Sequence, residues 1–200
     1  MTAGGDSDTA ACQNVLLADN WGMADLFDGV RDERRQAHQR LLASVSGLTD
    51  EQLRWRPGPH APAIGFHVFH TARWADYDRQ IIGGGAQIWH ERDLASRWDL
   101  EATDLGQTST GMGMGDEASE RLILPAKAVL VAYAEEAFTA FDSFVGALSP
   151  DQLLDLTRPP DAQRRSVQDV LMTHLAHDNR HLGMIEALRG LLGLQGSATV

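Results

Sequence analysis

The stretch THLAHDNRHLGMIEALRGLLG, Thr173 to Gly193, places His174, His177 and His181 on a single run of helical periodicity. Neutral imidazole is the commonest protein ligand for a metal. Residues four apart on a helix have Cβ atoms about 5–6 Å apart on one face, so His177 and His181 can reach one ion together. The apolar stripe of this helix runs through Val167, Val170/Leu171, then Met184/Ile185, Leu188 and Leu191/Leu192. Continued through the middle, its three-four spacing falls on positions 174, 177/178 and 181. The histidines therefore interrupt a core stripe instead of lying beside it. A buried imidazole must find partners for its ring nitrogens or cost about 1 kcal/mol or more per unsatisfied group. A divalent ion would meet that demand for several rings at once.

A third ligand has to come from another helix. GFHVFHTARWADYD, Gly65 to Asp78, offers two histidines three residues apart. His70 shares a face with Phe66, Tyr77 and Ile81, whereas His67 aligns with Ile64, Thr71 and Trp74. Periodicity favours His70, so the expected ligands are His70, His177 and His181, with His67 as the alternative. His174, His67, Asp178, Arg180 and Arg73 are candidates for supporting those ligands or touching a substrate. Asp178 could accept a hydrogen bond from an imidazole or sit solvated on its helix. Arg73 and Arg180 flank the ligand positions and could grip a carboxylate or be ordinary surface charge. His174 stays open between support, substrate contact and core filling. His38 lies in a highly charged stretch and is expected to face solvent. His38, His60 and His90 are expected to take no part in metal binding.

Four segments could position these residues. Helical periodicity runs over about Met23–Val45, Ala63–Ile82, Leu122–Leu148 and Ser166–Leu192, with Pro125 tolerable in the first turn of the third. No convincing period-two run appears, so the fold class is all-α and the most economical architecture a four-helix bundle. GLTDEQL (Gly47–Leu53) and ALSPDQL (Ala147–Leu153) echo one another, each followed by an Arg-Pro pair. Each half thus reads as helix, short acidic turn, proline-bearing linker, helix. Between the second and third segments, a long connection carries QIWHERDLASRW, read as one short helix bearing Trp89 and Trp98, and then a glycine-rich loop. Its tryptophans and methionines favour a packed lid. The glycines do not form a phosphate cradle, since no strand precedes them and no Gly-Lys-Ser/Thr follows.

Composition narrows the function classes. The 17 Lys and Arg residues face 28 Asp and Glu, a formal charge of −11 that disfavours nucleic acid and anionic membranes. A hydrophobic fraction of 43% is ordinary for a globular domain. No apolar run approaches the ~20 residues needed to span a bilayer, and a cytoplasmic protein is the default expectation. The one cysteine, Cys12, lies in a Gly/Ala/Asp/Ser-rich start where nothing would activate it as a nucleophile. Residues 1–20 and 195–200 are expected to be mobile tails around a domain spanning 21–194.

With these residues in hand, AIGFHVFHTARWADYD followed by DVLMTHLAHDNRHLGMIEALRGLLG resembles the DinB-like superfamily of metal-binding four-helix bundles. His70 matches the family's histidine on its second helix. His177, His181, Gly183 and Ile185 match its H-x-x-x-H-x-G-x-I pattern, and the resemblance spans about Met23 to Leu192. It implies three ligands on two helices and metal positions left open to water or substrate, the mark of a catalytic site. Relatives with assigned activities use a low-molecular-weight thiol; bacillithiol S-transferases and mycothiol-dependent maleylpyruvate isomerase are examples. The isomerase has a glutamate where this chain has His177, so the all-histidine set is closer to the transferases. The resemblance thus implies a divalent ion, Zn or Ni, with mycothiol or bacillithiol as cosubstrate and a small electrophile as substrate. The alternatives are a non-catalytic metal-binding stress or sensor protein and a metal-dependent hydrolase. A homodimer is compatible with the family.

Overall fold

The computed structural model describes residues 8–196, with side chains from Leu26 onward. Its α-helices are, in order, α1 (Asp8–Ser46), α2 (Asp50–Arg54), α3 (Ile64–Ile81), α4 (Ile88–Glu91), α5 (Leu94–Arg97), α6 (Asp116–Arg121), α7 (Lys127–Gly146) and α8 (Val167–Leu191). A 3-10 turn at Pro150–Leu154 separates the last two. No β-strand occurs among the described residues. The long helices α1, α3, α7 and α8 form a four-helix bundle. In it α1 packs on α7 and α8, and α3 packs on the same two, most extensively on α7. Consecutive long helices α1 and α3 are therefore diagonal, which is why the chain needs an extended linker to pass between them.

The core follows the apolar spacing. Phe138, Phe141, Val145 and Leu148 are buried along or just beyond α7, Ile64, Val68, Phe69 and Ile81 along α3, and Val170, Leu171, Ile185 and Leu188 along α8. Phe144 is only partly buried but packs against the same core. The echoed heptapeptides form equivalent capped turns. Thr49 and Gln52 exchange side-chain to backbone hydrogen bonds at the start of α2, and Ser149 and Gln152 make the same box. Leu53 and Leu153 are both buried beneath these turns. At Pro150 the second copy tightens into a 3-10 turn.

Three boundaries differ from the sequence reading. First, α1 begins at Asp8, well before Met23. No proline interrupts the intervening residues, and α-helix there needs no apolar stripe of its own. Residues 1–7 and 197–200, parts of the expected tails, lie outside the described residues, as does the side chain of Cys12. Second, the third long helix starts at Lys127 and not at Leu122. The residue before a proline avoids helical geometry, so Leu124-Pro125 separates the short α6 from α7. Asp50 caps the new start by accepting from the Lys127 backbone N–H at 2.7 Å. Third, QIWHERDLASRW is two single turns, α4 and α5, broken at Asp93, whose φ of 49° is left-handed. At the other end of the chain, Arg189 donates to the backbone carbonyl of Gln195 at 2.8 Å.

The connection between α3 and α7 is a packed lid. Trp89 is buried against Phe69 of α3, Tyr133 of α7 and Trp98. Its anchor is polar. Asp76, wholly enclosed, accepts from the backbone N–H groups of Ile88 and Trp89, each at 2.9 Å. Arg73, also wholly enclosed, donates to Asp76 (3.1 Å), Tyr133 (3.1 Å), Gln87 (2.6 Å) and the carbonyls of Ser109 (3.0 Å) and Thr108 (3.2 Å). Arg73 is therefore no grip for a substrate. Its bonds to Gln87, Thr108 and Ser109 tie the lid to α3, and those to Asp76 and Tyr133 brace it within the bundle.

Candidate metal centre

His70 comes from α3 and His177 and His181 from α8, two helices that pack side by side. Each offers a ring nitrogen, and the three nitrogens lie within 4.8 Å of one another. The ring centroids are 4.9 Å apart for His70–His177, 4.7 Å for His70–His181 and 4.3 Å for His177–His181. Among the described residues this is the one group of three or more His, Cys, Asp or Glu side chains so arranged. His60 and His90 are exposed and stand apart from it.

The hydrogen bonds around the rings decide which nitrogens are free. His70 Nδ1 donates to the carbonyl of Thr110 at 2.6 Å, so in the neutral ring Nε2 carries a lone pair. That Nε2 lies 3.0 Å from Nε2 of His177. His177 Nδ1 is buried without a hydrogen-bond partner, and the nearest acceptor is the Asp178 carboxylate at 3.6 Å. A carboxylate there favours a proton on Nδ1, which leaves a second lone pair facing the first. Two opposed lone pairs repel unless a proton or a cation lies between them. His181 Nδ1 lies 2.9 Å from His67 Nδ1, a contact that leaves Nε2 of His181 available. The donor set fits a divalent transition-metal ion, with His67 behind His181 as an orienting partner. Sequence spacing brought His67 to the centre without settling this role.

Burial keeps the rings of His67, His70 and His181 neutral. It lowers the pKa of His67 to about 4 and of His70 to about 3, and drives His181 well below its ordinary value, with the charge of a protonated His177 adding to each shift. Neutral imidazole is the form that binds metal.

A tight turn brings the Thr110 carbonyl to His70. Gly111 N–H donates to the Leu105 carbonyl and Gln107 N–H to the Met112 carbonyl, both at 2.7 Å. Gly111 has φ +88°, and a Cβ there would lie 2.9 Å from the Phe66 ring and 3.3 Å from His70 Nδ1. Phe66 in turn stacks on His70 at 5.5 Å. Only glycine allows this approach.

A cavity of about 840 Å³ opens on His70 and His177. Trp74, Tyr77 and Met112 give it apolar surface, His174 faces it from α8, and Arg180 and Arg165 supply positive charge. His174 is held from behind by Asp78, whose Oδ2 lies 2.8 Å from Nδ1. Arg165 pairs with Asp161 at 3.3 Å, whereas Arg180 has no carboxylate partner among the described residues.

Sequence reasoning placed His38 in solvent, and the structure corrects this. His38 is 2% exposed, stacked at 4.1 Å on Phe138, with Nδ1 2.9 Å from the Asp142 carboxylate. Asp178 is buried rather than solvated, and Arg34 beside it is 1% exposed. A signal was available. The spacing Phe27, Val30, Arg34, Ala37/His38, Leu41, Val45 puts both residues in phase with the apolar stripe of α1.

Fold and site together define a helical bundle whose inner face carries three convergent imidazoles. The chain belongs to the DinB superfamily, whose family model matches residues 33–185. Among solved structures it is similar to a conserved protein from Enterococcus faecalis, with TM-score 0.69 and 17% sequence identity over 83% of this chain and 96% of that one. At that identity the likeness shows the fold alone. No curated protein matches the sequence. Among the described residues no helix is long and apolar enough to cross a membrane.

Proposed function

We propose that His70, His177 and His181 hold one divalent ion, Zn or Ni, and that the protein is a transferase joining a low-molecular-weight thiol to a small electrophile. The observation that carries this reading is the pair of Nε2 atoms of His70 and His177 opposed at 3.0 Å on the wall of an 840 Å³ cavity. Three protein ligands leave coordination positions open on the cavity side. The chemistry such an ion supplies is a lowered thiol pKa, which keeps the cosubstrate as thiolate, the nucleophilic form, at neutral pH. The remaining work belongs to the chain. Thr110 and His67 fix the rings of His70 and His181. Trp74 and Met112 offer an apolar wall to the body of the electrophile. Arg180, unpaired at the rim, binds a carboxylate on it. His174, oriented by Asp78, presents Nε2 to the cavity as a hydrogen-bonding contact. In the transfer the thiol proton passes to solvent and the carbon–sulfur bond forms, either as a halide leaves or as an epoxide C–O bond opens, the alkoxide oxygen then taking a proton from solvent. Bacillithiol and mycothiol are the cosubstrates expected from the superfamily resemblance.

The test begins with metal content. His70→Ala, His177→Ala and His181→Ala should each lose most of the bound metal, with His60→Ala and His90→Ala unchanged. Retention by His70→Ala with loss in His67→Ala would reassign the third ligand. Conjugation of a haloarene or epoxide is then compared for metal-loaded protein, chelated protein and His181→Ala across bacillithiol, mycothiol and glutathione. Equal rates in all three proteins, with no thiol-induced change in the Co²⁺ absorption spectrum, would remove the transferase reading and leave metal binding alone.

A further inference from the structure

Behind His177, on the side away from the cavity, lies a second polar cluster that the proposed chemistry does not use. Asp178 of α8 is 1% exposed and faces α1. Its Oδ2 lies 3.4 Å from His38 Nε2 and 3.9 Å from Arg34 Nη2, and its Oδ1 lies 3.6 Å from His177 Nδ1. Arg34 is braced in turn. Its guanidinium lies 3.8 Å above the Phe141 ring, and Nη1 donates to the Leu171 carbonyl at 3.4 Å. His38 is fixed by Phe138 and Asp142. We propose that Arg34 and His38 of α1 are positioning residues for the three-histidine centre, acting through the Asp178 carboxylate on the orientation and tautomer of His177.

Three observations support this. Neighbouring residues on a helix point in different directions, yet Oδ1 of Asp178 lies 3.6 Å from the back of His177 while its Oδ2 faces His38 and Arg34 of α1. His177 Nδ1, Asp178 Oδ2, His38 Nε2 and Arg34 Nη2 all lack hydrogen-bond partners among the described residues, so the cluster is poorly satisfied as a structural device. A buried ion pair of loose geometry is a weak source of stability, and apolar residues would pack there at lower cost. Metal-binding histidines, by contrast, commonly pass the proton of their second nitrogen to a carboxylate, and losing that partner costs roughly 10–100-fold in metal affinity.

The inference rests on the metal reading above, and one experiment separates the two. Co²⁺ affinity, by chelator competition, and the visible absorption spectrum are measured for wild type, Arg34→Met, His38→Ala, His38→Gln, Asp178→Asn and the charge-balanced pair Arg34→Met/Asp178→Asn. Urea unfolding of the metal-free forms is followed in parallel. Arg34→Met and Asp178→Asn should each weaken Co²⁺ binding by roughly 10–100-fold and alter the spectrum. The pair should be little worse than either alone, because both act through one carboxylate. His38→Gln, which keeps a donor, should recover most of the affinity lost in a His38→Ala protein. If the folded pair binds Co²⁺ with wild-type affinity and spectrum while unfolding at lower urea, the cluster is structural only and the inference fails. If wild type itself binds no Co²⁺, the metal reading fails first and this inference with it.

Discussion

A buried histidine with a depressed pKa ties stability to pH in a fixed direction. His67, His70 and His181 are all lowered in the folded chain, to about 4 and about 3 for the first two. The unfolded chain takes up protons near 6.5, whereas the folded chain resists them until far lower pH. Their contribution is therefore fully present above 6.5 and is lost as pH falls from there towards 4 and below. Metal-free protein should lose on the order of 1 kcal/mol per histidine for each pH unit below 6.5, measured by urea unfolding at pH 7.5, 6.5 and 5.5. A flat profile would mean that the rings are solvated. Of the residues at the centre, His177 and His181 were legible from four-residue spacing within an apolar stripe, and His70 from the face it shares with Phe66 and Tyr77. Arg34 was hidden because charged residues at helical spacing read as a solvated face, and for the same reason Asp178 stayed open between an imidazole's acceptor and a solvated carboxylate. Only the phase of the surrounding apolar positions betrays that they point inward.

At the scale of elements, the turn over His70 is the part most exposed to a single change. Gly111→Ala would force a left-handed backbone onto a residue with a side chain and press its Cβ against Phe66. The turn must shift, the Thr110 carbonyl must leave His70 Nδ1, and metal affinity should fall about tenfold or more. The turn is not part of any of the four long helices, so far-ultraviolet circular dichroism should stay unchanged. An Ala variant that keeps full affinity would show that the turn does not orient His70. The long helices were readable because periodicity accumulates over many residues. The short α4, α5 and α6 were not, because a single turn carries no periodicity and its limits are set by Asp93, Pro125 and the buried Arg73–Asp76 anchor.

For the whole molecule, metal binding at this centre would be linked to folding, since α3 and α8 must be docked before His70 can meet His177 and His181. At 100 times the dissociation constant, a ligand bound only by the folded state stabilises it by about 2.7 kcal/mol. Zn²⁺ or Ni²⁺ should raise the midpoint of thermal unfolding in a concentration-dependent way for wild type and not for the His70→Ala protein. An equal rise in both would point to binding elsewhere.

The two echoed units meet at this site. The first supplies His70 and the second His177 and His181, and neither holds a complete set of ligands. With an ion bound, the centre would work as a coincidence detector for the fold. A partly folded state that keeps its helices but separates the two halves would lose the ion while its helical content stayed high. Metal occupancy and circular dichroism would then part company, and their divergence would report the docking of the halves rather than the formation of the helices.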